Sequence, residues 1–215
     1  MTTLKSFFFL SFFFIQGLNA QPSNKPVQLL HYILDSFSTG KILMKSGVTM
    51  EQRLNYNLLT EEMIFQSNGS FMAIANPQEV DTVFIQNRKF VPVDSRFYEC
   101  LTGDEPALFE EYTCSIREPG AETGFGATNT SATTSLNSLV KSGGAYELKL
   151  PNEFKVIPGH NYWLKKEGKF FKINSGQQLV KLFPSKKQWI VDWMKAKNTN
   201  FSKQEDVIAL VKSIQ

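Results

Sequence analysis

Catalysis by this chain would have to draw on few groups, because its 215 residues include only two histidines, His31 and His160, and two cysteines, Cys100 and Cys114. Serine chemistry needs a base and an acid that orients it. The hydroxyl-rich stretch ETGFGATNTSATTSLNSL (122–139) supplies Ser131 and Ser135, but no G-x-S-x-G elbow holds either of them. Its glycines also lack the G-x-G-x-x-G spacing and the G-K-[ST] ending of phosphate loops. His160, in PGHNYW, is the better base candidate, since a turn there would set it at a sheet edge; the alternative is an exposed turn histidine. No H-x-x-x-H, C-x-x-C or EF-hand spacing gathers metal ligands, and no metal or cofactor is expected. The acid pairs Glu61-Glu62, Asp104-Glu105 and Glu110-Glu111 are adjacent, so on a strand each pair points to opposite faces. Only tertiary proximity could make a glycosidase pair from such carboxylates.

Three further features could make contacts. In an oxidising compartment Cys100 and Cys114 could form a disulfide, which for so short a loop contributes roughly 3 kcal/mol in the chain-entropy model. Register opposes it: a tight turn at GDEP (103–106) sets Cys100 opposite a residue near Phe109, and a bridge needs a wider loop centred near Ala107. Buried free thiols and a redox or nucleophilic role are the other readings. Trp189 and Trp193 stand at i, i+4 in KKQWIVDWMKAK, where with the lysines around them they could meet a membrane interface, stack on sugar rings or pack against the sheet. Phe125, in the Gly-Phe-Gly of the hydroxyl-rich stretch, is the contact residue if that loop meets a partner.

The elements that must position these groups are legible as two periods. From Lys41 to Ile116 the apolar residues mostly alternate, as in RLNYNLL, and Asn68-Gly69 is the strongest hairpin signal. Short strands with polar turns (QNR, DS, GDEP) predict antiparallel pairing, because parallel pairing needs longer crossovers. Pro92 argues for an edge or a bulge. Residues 117–144 read as a flexible Gly/Ser/Thr loop; AYELKL resumes the strands, and NYWLKKEGKFFKI predicts a hairpin turning at Glu167-Gly168. After residue 174 three S-x-x-[EQ] boxes (Ser175, Ser185, Ser202) predict helix starts, and Val207, Leu210, Val211 and Ile214 form one apolar stripe. The expected fold class is α+β: an antiparallel β-meander sheet, strongly curved or partly barrel-like, over 21–174, with short C-terminal helices over 175–215 packed on it. Short strands and a helical tail argue against a transmembrane β-barrel.

The first twenty residues, MTTLKSFFFLSFFFIQGLNA, have the basic start, apolar core and small-residue exit of a secretory signal peptide, with cleavage expected after Ala20. No later run is long enough to span a bilayer. Charge is uneven. Residues 21–140 hold 8 Lys/Arg against 14 Asp/Glu, or −6, and 141–215 hold 14 Lys against 6 acids, or +8. The lysine-rich end could meet an anionic surface, or the two halves could attract each other.

The motifs FSTGKILMKSG (37–47), LNYNLLTEEMIF (54–65), NPQEVDTVFIQNRKFVPV (76–93), FYECL (97–101), GFGATNTSATTS (124–135), YWLKKEGKFFKI (162–173) and LVKLFPSKKQWI (179–190) follow in order along the chain. In that order the chain resembles a family of secreted, functionally uncharacterised proteins of Bacteroidetes bacteria. The resemblance implies an envelope or extracellular location and supplies no site residues; the signal peptide makes the expected location secreted or periplasmic. The expected function is non-enzymatic binding of a partner protein or envelope component, without nucleic acid. The alternatives are an envelope-polymer hydrolase using His160 and a nearby acid, an apolar-ligand carrier with the helices as its cover, and a protein docking on anionic surfaces.

Overall fold

The computed structural model describes residues 30–117, 121–123, 127–129 and 155–215; the expected leader, Phe125, residues 130–139 of the hydroxyl-rich stretch and the expected strand AYELKL (145–150) lie outside the described residues. Strands are β1 (Ser38–Met44), β2 (Thr49–Asn57), β3 (Glu62–Ser67), β4 (Ser70–Ala73), β5 (Val80–Ile85), β6 (Arg88–Val93), β7 (Arg96–Cys100), β8 (Ala107–Arg117), β9 (Ala121–Thr123), β10 (Ala127–Asn129), β11 (Lys155–Lys166) and β12 (Lys169–Lys172). Three helices follow: α1 (Gly176–Leu182), α2 (Lys187–Lys197) and α3 (Gln204–Ile214). Ten strands form one antiparallel sheet in the order β12-β11-β8-β7-β6-β5-β1-β2-β3-β4, so the α+β class is as expected. Left-handed turn residues punctuate it. Asn68 and Gly69 (φ 49° and 79°) join β3 to β4, and Glu167 and Gly168 (φ 52° and 76°) join β11 to β12, both at the positions the sequence predicts.

The strand order departs from one continuous meander. After β4 the chain returns through the 3₁₀ turn Pro77–Glu79, and β5 pairs with β1, setting Ile42 beside Val83. Burial explains the choice. Val80, Val83 and Ile85 are fully buried, and the four-residue edge strand β4 is too short and too exposed to cover them. Two smaller expectations also change. The segment 117–144 contains a ribbon, β9 paired antiparallel with β10. His160 lies not in a turn but inside β11, where Pro158, Gly159 and His160 pair with Cys114, Thr113 and Tyr112 of β8. β12 pairs with β11 only from Trp163 onward, so among the described residues no strand flanks this half of β11 on its outer side, the setting in which a strand tolerates proline.

Side chains on one face of the sheet build two apolar cores. The curl of β1–β3 and β5–β7 brings the β2–β3 turn to β7, where Glu61 pairs with Arg96 at 2.6 Å, and encloses Leu54, Tyr56, Met63, Val83, Ile85, Phe90 and Phe97. Further along the same face, Leu108, Tyr162 and Leu164 pack directly against Leu179, Ile190, Val207, Leu210, Val211 and Ile214 of the helices. The stripe read from 207–214 is thus the buried face of α3. Of the three serine boxes only the first forms: the Ser175 hydroxyl accepts from the Gln178 N–H. Ser185 lies within the 3₁₀ turn Pro184–Lys186, which runs straight into α2, so the capping position falls on Lys186; that of α3 falls on Lys203, after a turn closed by Lys203 N–H to Asn200 O. Among the described residues no helix is long and apolar enough to cross a membrane.

Gly40 marks the tightest strand contact. A Cβ there would stand 2.5 Å from the Phe84 carbonyl oxygen and 2.9 Å from Leu54 Cδ1. Gly40→Ala should therefore cost about 2–3 kcal/mol in urea unfolding, whereas Gly103→Ala, with open space at its Cβ, should be close to neutral.

Candidate functional site

Between the two cores the same sheet face turns polar. Glu99 and Glu110 are cross-strand neighbours in the β7–β8 register, and both are buried. Arg88 grips Glu99 with two bonds, Nε to Oε1 at 2.9 Å and Nη2 to Oε2 at 2.6 Å, and its guanidinium lies over the rings of Phe90 and Tyr112. The Tyr112 hydroxyl stands 2.6 Å from Glu99 Oε2 and 2.7 Å from Glu110 Oε2, and its single proton can serve only one of them at a time. Gln204, at the start of α3, donates its amide N–H to Glu110 Oε2 and so ties the helices to the sheet. The outermost member is His160, half-exposed, with Nδ1 3.5 Å from Glu110 Oε1. Burial first, then the charges of Glu110 and Glu99, push the Tyr112 phenol far above its ordinary range, which makes it a hydrogen-bond donor and not a nucleophile. The carboxylates are close, as tertiary proximity allows, but their oxygens are occupied by protein.

Glu111, one residue on, points to the opposite face and is equally buried. It accepts from Arg96 Nη1 (2.7 Å), Asn161 Nδ2 (2.9 Å) and Trp163 Nε1 (2.9 Å), with the Tyr98 hydroxyl at 3.3 Å. Burial alone would raise its pKa; the bonds from Trp163, Asn161 and Arg96 outweigh burial and hold it below the usual carboxylate range. Tyr98 and Trp163 stack at 5.9 Å, and Phe170 packs edge-on against Tyr98 and Phe109, so this face carries an aromatic floor.

Beside that floor opens a cleft of about 680 Å³ spanning β5 to β12. Val91, Phe109 and Phe170 line it, and Lys45, Lys89 and Lys165 stand around it. Among the described residues none of these three ammonium groups has an ion-pair partner; Lys165 lies 5.7 Å from the centre of the Phe170 ring. The acids of the lining are engaged: Asp81 accepts from the Thr82 hydroxyl at 2.7 Å and Glu105 from the Glu167 N–H at 2.6 Å. A smaller, more apolar cleft of about 250 Å³, lined by Ile42, Met44, Met50, Phe65 and Ile74, lies elsewhere along the sheet.

The remaining expected contact residues separate. The disulfide is overturned: both cysteines are free thiols. Cys100 pairs with Phe109, as the tight-turn register predicted, which leaves Cys114 five positions along β8. At about 3.3 Å per residue that is roughly 16 Å, beyond the ~7 Å that a bridge tolerates. Burial pushes both thiols up, Cys114 to about 11, which removes the thiolate that redox or nucleophilic chemistry needs. Trp189 and Trp193 stack at 5.4 Å; Trp193 packs partly into the helical core, while Trp189 is 41% exposed. Phe125 lies outside the described residues. The sequence reading missed Arg88, Glu99, Tyr112 and the lysine cleft. One signal was present: the register that places Cys100 opposite Phe109 also places Glu99 opposite Glu110.

Among known proteins no family model, no curated sequence and no solved structure matches the chain.

Tyr112→Phe strands two buried carboxylates without their shared donor and should cost about 1–3 kcal/mol. His160→Ala, at the exposed rim, should cost under about 1 kcal/mol. Paired urea melts at neutral pH check both. Because the Glu111 pKa is lower folded than unfolded, its stabilisation is present above the unfolded value and lost as pH falls through the folded one. Trp163→Phe should therefore destabilise most at pH 7, and its deficit relative to the parent should shrink in melts taken progressively below the carboxylate range.

Proposed function

We propose that this is an exported, non-enzymatic binding protein whose ligand is a small organic anion, an envelope component or part of one, held in the cleft on the sheet face opposite the helices. One observation carries the reading: three lysines without acid partners among the described residues surround an aromatic and aliphatic floor. A cleft of about 680 Å³ is within the size of small-molecule sites, in which a few placed charges orient a ligand whose body rests on apolar walls. Export is supported by the leader-like first twenty residues, and an envelope setting by the resemblance of the motif order. The buried carboxylates favour binding over catalysis, since Arg88, Tyr112 and Gln204 already occupy them.

A hydrolytic reading draws on the His160–Glu110 contact at 3.5 Å. A substrate would meet only the imidazole there, because Glu110 is 3% exposed.

An NMR titration with naphthalene-2-sulfonate, an anion on a flat apolar body, tests the binding reading. Amide shifts are expected in β6, β8 and β12. The affinity should fall at least tenfold (about 1.4 kcal/mol) in the Lys89→Ala/Lys165→Ala double variant and should weaken with added salt. Binding that ignores both the lysines and the salt, or shifts confined to other strands, would overturn the assignment.

A further inference from the structure

The helical end carries a second cleft of different chemistry. It measures about 380 Å³ and is lined by Trp193, Lys197, Thr199, Asp206 and Ala209. The chain builds it by reversing direction after α2: Asn198 adopts the left-handed conformation (φ 49°), and the Thr199 N–H bonds back to Met194 O at 3.0 Å. Asp206 Oδ2 then accepts from the Asn200 N–H at 2.9 Å, which fixes the turn against the first turn of α3. Among the described residues the other Asp206 oxygen has no hydrogen-bond donor. The Lys197 ammonium stands 5.6 Å from the centre of the Trp193 ring, and Trp189 extends the aromatic surface by stacking on Trp193 with its own side chain exposed.

We infer that this cleft is a carbohydrate subsite. A sugar ring presents a C–H face that packs on an indole and a rim of hydroxyls that need donors and acceptors together. Trp193 with Trp189 supplies the first. Lys197 and the Thr199 hydroxyl can donate, while Asp206 and the same hydroxyl can accept. One ammonium and one carboxylate leave the cleft without net charge, which suits a neutral polyol and contrasts with the lysine cleft on the sheet. An anionic membrane surface fits less well: its phosphates would approach Asp206 on α3, and Asp192, next to Trp193 on α2, adds a second negative group. The site is independent of the proposed anion cleft and does not rest on it.

The three tryptophans provide the readout, because Trp163 lies on the sheet stacked on Tyr98, away from this cleft. Indole N–H resonances should be followed while chitotriose, maltotriose or cellotriose is added to the full-length mature chain. With at least one of these, the Trp189 and Trp193 signals should move at millimolar concentration and the Trp163 signal should stay. Asp206→Ala and Thr199→Ala, each checked for an unchanged thermal melt, should each weaken that response at least tenfold or abolish it. Lys89→Ala/Lys165→Ala should leave it intact, which separates this site from the anion cleft. No movement with any of the three oligosaccharides would overturn the inference. So would equal movement of all three indoles, an unchanged response in both folded variants, or indole shifts produced only by phosphatidylglycerol vesicles.

Discussion

Two consecutive residues of β8, Glu110 and Glu111, are both buried, and strand geometry sends their carboxylates to opposite faces of the sheet. A buried charge is tolerated only when it is paired and hydrogen-bonded. β8 therefore imposes a requirement for donors on each side at once. For Glu110 they come from Tyr112 on the same strand and from Gln204, ninety-four residues away on α3. For Glu111 they come from Arg96, Asn161 and Trp163, at separations of 15, 50 and 52 residues. Removing β7, β11 or α3 would leave one of these carboxylates partly unsatisfied, so the strand can be buried only when its partners on both faces are in place.

That requirement divides the molecule. On the face of Glu110 a polar seam of Arg88, Glu99, Tyr112 and Gln204 separates the core inside the curl from the core under the helices. The two cores share one sheet face, yet the seam between them needs specific bonds and not only apolar contact. On the face of Glu111 no helix packs over the described residues, and the donors Trp163, Asn161 and Arg96 are joined by Tyr98, Phe109 and Phe170 as an aromatic floor. Placing both acids on one strand thus separates the two faces: the helices pack on the side of Glu110, and among the described residues none packs on the side of Glu111, where the cleft lies.

Local chemistry made much of this legible in the sequence. Asn68-Gly69 and Glu167-Gly168 set hairpins because glycine and asparagine adopt positive φ at little cost, and the 3.6-residue stripe of α3 was visible because its buried face is continuous. Long-range choices were not legible. The pairing of β5 with β1 depends on how deeply Val80, Val83 and Ile85 must be buried, and on a close approach that only Gly40 permits. Pro158-Gly159 resembled a turn, because the sequence does not reveal that β11 runs beside β8 through these residues. The serine boxes at Ser185 and Ser202 had the right spacing, but preceding turns moved the helix starts to Lys186 and Lys203. For the candidate sites, the Glu99–Glu110 pairing was implied by a register already deduced, whereas Arg88 and the three lysines of the cleft converge only after the sheet has curled.

The uneven charge of the chain acquires a structural meaning from these contacts. All four arginines fall within residues 53–117, and two of them, Arg88 and Arg96, hold buried or half-buried carboxylates. A planar guanidinium can bond both oxygens of an acid and stack on a ring at the same time, which the compact ammonium of lysine cannot do. Among the described residues the acid-rich half thus contains both partners of its arginine ion pairs. Attraction between the two halves would require lysines of the second half to pair with acids of the first. Among the described residues the only lysine ion pair is Lys166 with its neighbour Glu167. Among the described residues of the second half, Lys165 at the sheet cleft and Lys197 at the helical cleft have no ion-pair partner, whereas Lys186 donates to the Ile214 carbonyl at the end of α3. Arg88 and Arg96 spend their charge on the carboxylates they hold, so the positive charge left for an incoming ligand is that of lysines outside such pairs.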